Sequence, residues 1–470
     1  MTTFYIEQFG CRATQADGAA IERQLREQGF QAEENRAAAD VVVLNTCTVT
    51  AAADTQARDA IRKIHAANPR SRIIVTGCYA QRAPEELAAL PGVSFVVGNS
   101  HKPQIPWILN RMPAGCEVSS RLELFPVERL GSAAAAPGDA TAQILTGDVF
   151  ELTDVLVAPV LGGEGNHTRP TLKIQDGCNS RCSFCVIPFV RGRSRSLPAA
   201  SVISELQRLA DSGFREIVLS GINLGTYGRD LSPRVEFREL LRRILGETSV
   251  ERLRISSIEP LDVSQDLISF FASTERIAPH FHMPLQSGSD RILAAMHRWY
   301  RAEHYSRRVE LIRERLPNAA LGADVICGFP GETEVEHDKT LRFIEERSFT
   351  YLHVFSYSAR PGTKAASLPG HNPGHIIKRR AREVRALGES KAEAFRRSQI
   401  GRRLRVLTLR RDKEDAPHET PALAENYVPV KVLQPLPPNQ FLTVVASRFD
   451  GGKLLGSPPE ASLPAASGAA

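Results

Sequence analysis

Three cysteines in one short segment are the residues of this chain best suited to metal chemistry. Cys178, Cys182 and Cys185 follow the stretch TLKIQDG with the spacing C-x3-C-x2-C. A structural zinc site needs four ligands, and no fourth cysteine or histidine lies nearby; a redox dithiol needs only two thiols. Three thiolates from one tight loop can hold a [4Fe–4S] cluster and leave its fourth iron open to a ligand. We therefore expect an iron–sulfur cluster at this loop.

A second set of cysteines lies at the ends of predicted strands. The apolar stretches TFYIEQFG, DVVVLNT and RIIVTG alternate with helical patterns, which predicts an open parallel sheet with helices on its faces. Cys11, Cys47 and Cys78 each follow one of these strands. The carboxyl ends of parallel strands share one edge, where ligands bind. The alternative is that each cysteine is a small buried residue; three at equivalent positions favour a shared ligand set.

The other two of the eight cysteines carry no such pattern. Cys116 lies in a region of small and polar residues and is interpreted as an ordinary thiol. Cys327 lies inside a strand pattern and is interpreted as a small buried hydrophobic residue. His280 and His282 share one face of a predicted strand. We interpret them as structural histidines that line a pocket with Gln286 and Ser287, although a metal or acid–base role is the alternative.

The length and composition fit a cytoplasmic protein of several domains. The chain has 470 residues, enough for two to four domains. It lacks the roughly 18 consecutive apolar residues of a membrane helix, and its N-terminus lacks the pattern of a signal peptide. In a reducing compartment, clustered cysteines indicate metal binding or catalysis rather than disulfides. The net charge of +6 permits a nucleic-acid partner without requiring one.

The elements that must position these cysteines fall into successive regions. Residues 170–395 contain six predicted strands that alternate with helices, too few for an eight-fold barrel of roughly 250 residues, so we expect a partial barrel or an open curved sheet. Short β segments from about residue 401 predict a small barrel of a kind that often binds nucleic acid. The predicted boundaries are an N-terminal domain at 1–105, a linker region at 106–168, a core at 169–398, a small barrel at 399–458 and a disordered tail at 459–470.

The segment 371–405 is strongly basic. It carries eleven Lys and Arg residues against three Glu, a net charge of +8. Two interpretations remain open: a solvated helix face that also joins domains, or a surface that faces RNA.

The cysteine loop resembles the signature of the radical S-adenosylmethionine enzymes. That family places the loop after the first strand of a partial (β/α)6 barrel, and its open iron chelates S-adenosylmethionine. The strand-end cysteines, the stretch GADVICGFPGET and the C-terminal barrel together resemble the methylthiotransferases of this family. The resemblance covers residues 3–100 and about 170–455. It implies two [4Fe–4S] clusters, with Cys11, Cys47 and Cys78 holding the second, and an RNA-binding TRAM domain at the C-terminus.

The resemblance also suggests contacts to the cofactor. Phe184 matches the aromatic residue that this family places before the last cysteine. By the same resemblance, the methionine amino group, the ribose and the adenine of S-adenosylmethionine would be contacted by Gly221 and Asn223, by Ser256 and Ser257, and by Gly322 respectively. The alternative for each is an ordinary tight turn between strand and helix.

The implied substrate is adenosine 37 of tRNA, in the anticodon stem-loop. NTCTVT, TGCYAQ and the arginines after the loop make the chain similar to the branch that acts on N(6)-threonylcarbamoyladenosine. Arg191, Arg193 and Arg195 could pair with the carboxylate of that nucleoside, or with phosphates of the anticodon loop.

Other functions remain as alternatives. They are methylthiolation of N(6)-isopentenyladenosine 37 or of an aspartate in a small-subunit ribosomal protein, and a cluster-bearing RNA-binding redox sensor. The expected partners are tRNA and an electron donor such as flavodoxin or ferredoxin, with no membrane and no DNA.

Overall fold

A computed structural model describes residues 2–111, 142–160, 168–412 and 415–459. The chain divides into two units. The first comprises Met1–Val160, Lys173–Leu197 and Ser358–Ala366; the second comprises Leu161–Leu172, Pro198–Tyr357 and Ser367–Ala470. Cys116 and nearly all of the predicted tail lie outside the described residues. None of the described helices combines the length and apolar character needed to cross a membrane.

The first unit is built on a parallel sheet. Its strands are β1 (Thr3–Gln8), β2 (Gln31–Ala32), β3 (Val41–Thr46), β4 (Arg72–Gly77), β5 (Val93–Val97), β6 (Gln143–Leu145), β7 (Thr171–Asp176) and β8 (Arg195–Ser196). Its helices are α1 (Arg12–Glu27), α2 (Ala51–Ala67), α3 (Cys78–Arg82), α4 (Pro84–Ala88), α5 (Ile105–Asn110) and α6 (Ile187–Arg191). The first six strands form one sheet in the order β2-β1-β3-β4-β5-β6, with every pairing parallel.

Hydrophobic burial explains this sheet. All six residues of β3 (VVVLNT) are buried, as expected of a strand covered on both faces in a parallel sheet. One core cluster lies on each side: Ile61 of α2 belongs to the first, and Ile21 of α1 to the second. The three strands predicted from the sequence are β1, β3 and β4. The short strand β6, which pairs with β5, lies inside the segment predicted as a linker.

The second unit contains the rest of the chain. Its strands are β9 (Glu216–Gly221), β10 (Arg252–Ile255), β11 (His280–His282), β12 (Ala320–Cys327), β13 (Tyr351–Ser356), β14 (Arg403–Thr408), β15 (Thr420–Ala424), β16 (Pro429–Val432), β17 (Phe441–Asp450) and β18 (Lys453–Ser457). Its helices are α7 (Ala199–Asp211), α8 (Phe237–Glu247), α9 (Gln265–Ala272), α10 (Asp290–Ala295), α11 (Ala302–Arg315), α12 (Glu334–Glu346) and α13 (Gly374–Arg397).

The six strands predicted between residues 170 and 395 are all present, as β7 and β9 to β13. Strand β9 pairs with β10, and β11, β12 and β13 form a further sheet; these pairings are parallel. The helices between them start at defined caps, because the hydroxyl groups of Ser264 and Ser289 accept backbone N–H groups at the first turns of α9 and α10. The alternation of strand and helix confirms the partial (β/α)6 barrel.

A closed barrel ends the chain, with strand order β14-β15-β16-β18-β17. Its backbone carbonyls complete a buried charge cluster of the core. Glu216 bonds to Arg252 at 2.5 Å and to Arg254 at 2.7 Å. Arg252 also donates to the carbonyl of Leu423, and Arg254 to those of Ala424 and Glu425. Because a buried guanidinium needs partners for all its N–H groups, the barrel is packed into the core rather than tethered to it.

Candidate functional site

Three cysteines converge at one edge of the first unit's sheet. Cys11 precedes α1, Cys47 follows β3, and Cys78 opens α3, so each stands at the carboxyl end of one of three adjacent strands. Cys11 is exposed, Cys47 and Cys78 are buried, and all three are free thiols. Gly10 lies so close to Cys47 that a Cβ on the glycine would stand 2.8 Å from the Cys47 sulfur. This edge therefore brings together three sulfur atoms that could bind a metal.

The sulfurs of this set influence each other's protonation. A hydrogen bond from Cys47 holds the pKa of the Cys11 thiol well below its usual value, and the charge of Arg191 acts in the same direction. The same hydrogen bond raises the pKa of Cys47, as do its burial and the neighbouring Cys11 and Cys78. Of this hydrogen-bonded pair, Cys11 is thus the one that becomes a thiolate first, and the thiolate is the form that binds metal.

A buried ion cluster lies beside these cysteines. Asp17 bonds to Lys102 at 2.7 Å, to Arg191 at 2.9 Å and to Lys173. Asp176 bonds to Arg191 at 2.9 Å and to Lys173 at 2.8 Å. Burial alone would raise the pKa of Asp17, but Arg191, Lys102 and Lys173 hold it well below its usual range. Three cations against two carboxylates leave a positive charge, which favours anionic sulfur ligands nearby.

One short helix connects the two cysteine sets. Helix α6 begins two residues after Cys185, and its Val190 packs with Val186 and Cys78 in a small apolar cluster. Asn99 reinforces the contact, because its Nδ2 donates to Cys78 Sγ at 3.6 Å and to the carbonyl oxygen of Val190 at 2.7 Å. The position of Cys78 is therefore coupled to the loop that carries Cys185.

The loop of Cys178, Cys182 and Cys185 is held by its own backbone. The N–H of Cys178 donates to the carbonyl of Gly192, and that of Cys185 to the carbonyl of Cys182, both at 3.1 Å. The sulfur of Cys178 accepts the N–H of Ser180 at 3.4 Å. All three cysteines are half-buried, and none forms a disulfide with another described residue. Half-buried thiols in a hydrogen-bonded loop that donates a backbone N–H to one of the sulfurs fit an iron–sulfur cluster.

A Gly-Cys pair recurs at three of these strand ends. Gly10, Gly77 and Gly177 precede Cys11, Cys78 and Cys178, with φ angles of 106°, 101° and 68°. A Cβ on Gly177 would stand 2.0 Å from the carbonyl oxygen of Arg193, so only glycine fits there. The repeated pair is visible in the sequence and marks the ligand positions more sharply than strand ends alone.

In the second unit, four of the predicted cofactor residues lie at strand ends. Gly221 ends β9, Asn223 is buried just beyond it, and Ser256 and Ser257 follow β10. The hydroxyl oxygen of Ser256 is buried and has no hydrogen-bond partner among the described residues, which suits a ligand atom. Phe184, in the first unit, lies half-buried in the cysteine loop.

The glycine at position 322 is explained by packing within the second unit. It lies inside β12, and a Cβ there would stand 2.0 Å from Cζ of Tyr351. The tyrosine ring thus fills the space that a side chain at this position would need, and a contact of Gly322 with adenine stays a prediction.

The arginines after the loop divide into two kinds. Arg191 is only 2% exposed and is paired with Asp17 and Asp176. Arg195 is buried and donates to the backbone carbonyls of Asp154, Arg191 and Arg193. Both side chains are committed within the protein, so the expectation that they bind substrate is not supported. Arg193 is exposed and remains a candidate.

Comparison with known proteins agrees with this geometry. Residues 3–98 match the Uncharacterized protein family UPF0004, and residues 172–344 match the Radical SAM superfamily. A solved radical S-adenosylmethionine methyltransferase, TsrM from Kitasatospora setae, shares the fold with a TM-score of 0.55 at 17% identity, covering 78% of this chain and 77% of that one.

Two curated relatives align with most of the chain. The Threonylcarbamoyladenosine tRNA methylthiotransferase MtaB of Aquifex aeolicus is 36% identical over 90% of this chain and 95% of its own length. A tRNA-2-methylthio-N(6)-dimethylallyladenosine synthase of Thermobifida fusca is 34% identical over 86% of this chain and 77% of its own length.

The fold and the cysteine loop thus define a radical S-adenosylmethionine enzyme, a class that uses this cofactor with a [4Fe–4S] cluster. Within that class, the chain belongs to the methylthiotransferase family.

Sequence reasoning missed several residues of the site. Asn99 follows β5, a strand that was not predicted, and the sequence analysis did not single out Lys102 or Asp17, which are buried. The short apolar run VSFVV before Asn99 was the available signal. Nothing local marks Asp17, whose partner Arg191 lies 174 residues away.

Proposed function

We propose that this enzyme adds a methylthio group to carbon 2 of N(6)-threonylcarbamoyladenosine at position 37 of tRNA. The observation that carries the proposal is the pair of three-cysteine sets in one unit, coupled through Cys78 and α6. The choice of substrate is supported by the relative from Aquifex aeolicus, whose name specifies threonylcarbamoyladenosine in tRNA.

Each cysteine set is assigned one [4Fe–4S] cluster. Cys178, Cys182 and Cys185 hold the cluster that binds S-adenosylmethionine, and Cys11, Cys47 and Cys78 hold a second. When bound, these groups supply the radical and sulfur chemistry that an unactivated aromatic C–H bond requires and polar chemistry at neutral pH does not provide. The protein positions these groups, supplies charge around them and shields them from solvent.

Around the second set, the protein provides charge and hydrogen bonds. Arg191 and Lys102 stabilise anionic sulfur by their charge, and Asn99 donates to the sulfur of Cys78. The buried carboxylates Asp17 and Asp176 hold these cations in place. Such hydrogen bonds and charges around the sulfurs are the means by which proteins tune a cluster.

The cofactor contacts assigned to the second unit are polar groups at strand ends. Ser256 offers a buried hydroxyl that suits a ribose hydroxyl of S-adenosylmethionine. Gly221, Asn223 and Ser257 stand at corresponding positions and are assigned to the same cofactor.

The C-terminal barrel and α13 are assigned to tRNA binding. In α13, Arg380 is buried against Glu332 and Lys391 donates to the carbonyls of Glu345 and Arg347, so part of the basic charge is structural. Lys378, Arg382 and Arg385 are exposed and can bind phosphates. A loop nucleotide such as adenosine 37 can then be splayed out and read.

Substrate recognition, localisation and partners complete the proposal. Arg193 is assigned to the carboxylate that distinguishes threonylcarbamoyladenosine from the apolar isopentenyl nucleoside. We assign the enzyme to the cytoplasm, with a flavodoxin- or ferredoxin-type electron donor and the anticodon stem-loop as its partners.

A nucleoside mass spectrum of tRNA tests the proposal. A deletion strain should lose 2-methylthio-N(6)-threonylcarbamoyladenosine and accumulate its precursor. A strain that lost only the isopentenyl-derived nucleoside would transfer the assignment to the reaction named for the Thermobifida fusca relative. Intact tRNA nucleosides with a ribosomal protein 46 Da lighter would point to the aspartate, since a methylthio group replaces one hydrogen and adds about that mass.

The enzyme assignment has its own test. Reduced protein with S-adenosylmethionine should release 5′-deoxyadenosine, and a redox sensor would not.

A further inference from the structure

Two histidines and one aspartate meet on neighbouring strands of the second unit. His282 lies on β11, Asp324 on β12 and His353 on β13, and these strands are adjacent and parallel. The Nε2 atom of His282 lies 3.0 Å from Oδ1 of Asp324, and Nδ1 of His353 lies 3.3 Å from the same oxygen. The three ligand atoms all lie within 4.8 Å of one another.

These separations match those of ligands around one ion. Imidazole nitrogen and carboxylate oxygen bind transition metals at about 2.0–2.2 Å, so two ligands at 90–110° to each other stand about 2.8–3.6 Å apart. Both observed nitrogen–oxygen distances fall in this interval. The carboxylate oxygen thus already stands at ligand-to-ligand distance from each imidazole nitrogen.

A second layer of residues orients His282. Its Nδ1 lies 3.1 Å from Oη of Tyr351, and that oxygen lies 2.8 Å from Nε2 of His280. Gly322 leaves the space that the tyrosine ring fills. If the phenol donates to His280 and accepts from Nδ1–H of His282, then Nε2 of His282 keeps a lone pair that faces the carboxylate. Metal-binding histidines commonly have such a partner on the other nitrogen.

Charge and exposure suit a cation. Asp324 supplies a carboxylate oxygen that lies within 3.3 Å of both imidazole nitrogens. His282 is 8% exposed and His353 is 54% exposed. One side of the group is therefore open to solvent, which gives an ion both an entrance and free coordination positions.

We propose that His282, Asp324 and His353 hold one divalent transition-metal ion that is separate from the cysteine-bound clusters. Two histidines and one carboxylate with open positions are the donor set of mononuclear iron(II) sites. An oxygen ligand, from water or a carboxylate, would occupy the open positions. The proposal stands whether or not threonylcarbamoyladenosine is the substrate. The competing arrangement is a hydrogen-bonded relay in which Nε2–H of His282 donates to Asp324 and no ion binds.

Manganese(II) is the probe that separates the two arrangements. Mn2+ prefers oxygen and nitrogen ligands to thiolates, so it leaves the cysteine sets alone. Free Mn2+ would be followed by electron paramagnetic resonance during anaerobic titration of the reconstituted holoenzyme. We expect one bound Mn2+ per chain, displaced by Zn2+, which such sites bind more tightly.

Variants assign the ion to these residues. Asp324→Asn and His353→Gln should each weaken Mn2+ binding by at least about tenfold, which is about 1.4 kcal/mol. His375→Gln, which changes an exposed histidine of α13, should bind as the wild type does. The half-exposed His353 can be changed without disturbing the core, and an unchanged iron content would show that each variant is folded. Absence of Mn2+ binding in the wild type, or equal binding in all variants, would overturn the site and leave the relay.

Discussion

Asn99 donates a hydrogen bond to the sulfur of Cys78 over 3.6 Å, from the same Nδ2 atom that donates to the carbonyl of Val190. Val190 belongs to α6, which closes the loop of Cys185. A single amide thereby links the strand-end cysteines to the other cysteine set. The positions of Cys78 and α6 are therefore fixed relative to each other by one side chain.

Removing this amide should alter the electronic properties of the second cluster. Hydrogen bonds to cluster sulfurs stabilise the reduced, more negative form and so raise the reduction potential. Asn99→Ala should lower the potential of one cluster and leave the other unchanged, as measured by redox titration with electron paramagnetic resonance. Asn110→Ala, at an exposed asparagine of the same unit, is the matched control. Equal potentials in Asn99→Ala and the wild type would show that Asn99 serves only to fix α6.

Iron content should follow the two cysteine sets separately. Anaerobically reconstituted protein should carry about eight irons, from two four-iron clusters. Replacing Cys178, Cys182 and Cys185 by Ala should halve the iron and abolish release of 5′-deoxyadenosine. Replacing Cys11, Cys47 and Cys78 should also halve the iron but preserve that release. Full iron in the second triple variant would refute the N-terminal cluster.

The buried arginine of α6 should be important for stability. Arg191→Met leaves Asp17 and Asp176 with fewer partners in a buried setting, and breaking such a pair costs about 3–5 kcal/mol. The free energy of unfolding at pH 7 should fall by that amount in urea denaturation. Arg193→Met, two residues away and exposed, should change it by less than about 0.5 kcal/mol. Equal stability of the two variants would contradict the ion cluster's role.

The buried ion cluster of Asp17 and Asp176 also determines how the stability of the fold changes with pH. The cations hold the pKa values of Asp17 and Asp176 below those of the unfolded chain. These carboxylates therefore stabilise the fold fully above about pH 4, and this stabilisation is lost as the pH falls towards the folded-state pKa values. Between pH 5 and pH 2 the stability difference between the wild type and Arg191→Met should shrink. A difference that stayed constant over this interval would mean that the lost contact is packing rather than charge.

Binding of tRNA should depend on exposed cations of α13. Replacing Lys378, Arg382 and Arg385 by Gln removes three phosphate contacts, so the slope of log K against log salt should become shallower by about 2–3. Replacing Arg234, Arg238 and Arg242, which are exposed in α8 and just before it, is the control. Filter binding at several salt concentrations measures both slopes. Identical slopes in the two triple variants would show that these α13 residues do not contact tRNA phosphates.

Local sequence patterns predicted much of the fold, because strands and helices were marked by local periodicity. The strand ends at Cys11, Cys47 and Cys78 followed from three apolar runs and the rule that parallel strands share an edge. Strand β6 was missed because its three residues, half-exposed, carry no alternation.

The role of Arg191 was also misjudged, for a different reason. Its carboxylate partner Asp17 comes from a distant segment, and tertiary pairing of that kind leaves no local trace. The proposed metal site was partly visible at His282, but Asp324 and His353 join it only through strand register.

The C-terminal barrel has a consequence for how this enzyme can be altered. The sequence predicts a separable barrel, and truncation near residue 400 looks like a simple way to remove RNA binding. In the structure, the backbone carbonyls of Leu423, Ala424 and Glu425 accept hydrogen bonds from Arg252 and Arg254. Deletion of the barrel would leave the guanidinium groups of Arg252 and Arg254 without these carbonyl partners. The two parts are thus constrained to evolve together, and a chimera with a foreign RNA-binding module would need matching carbonyls at the same three positions before its catalytic core could fold.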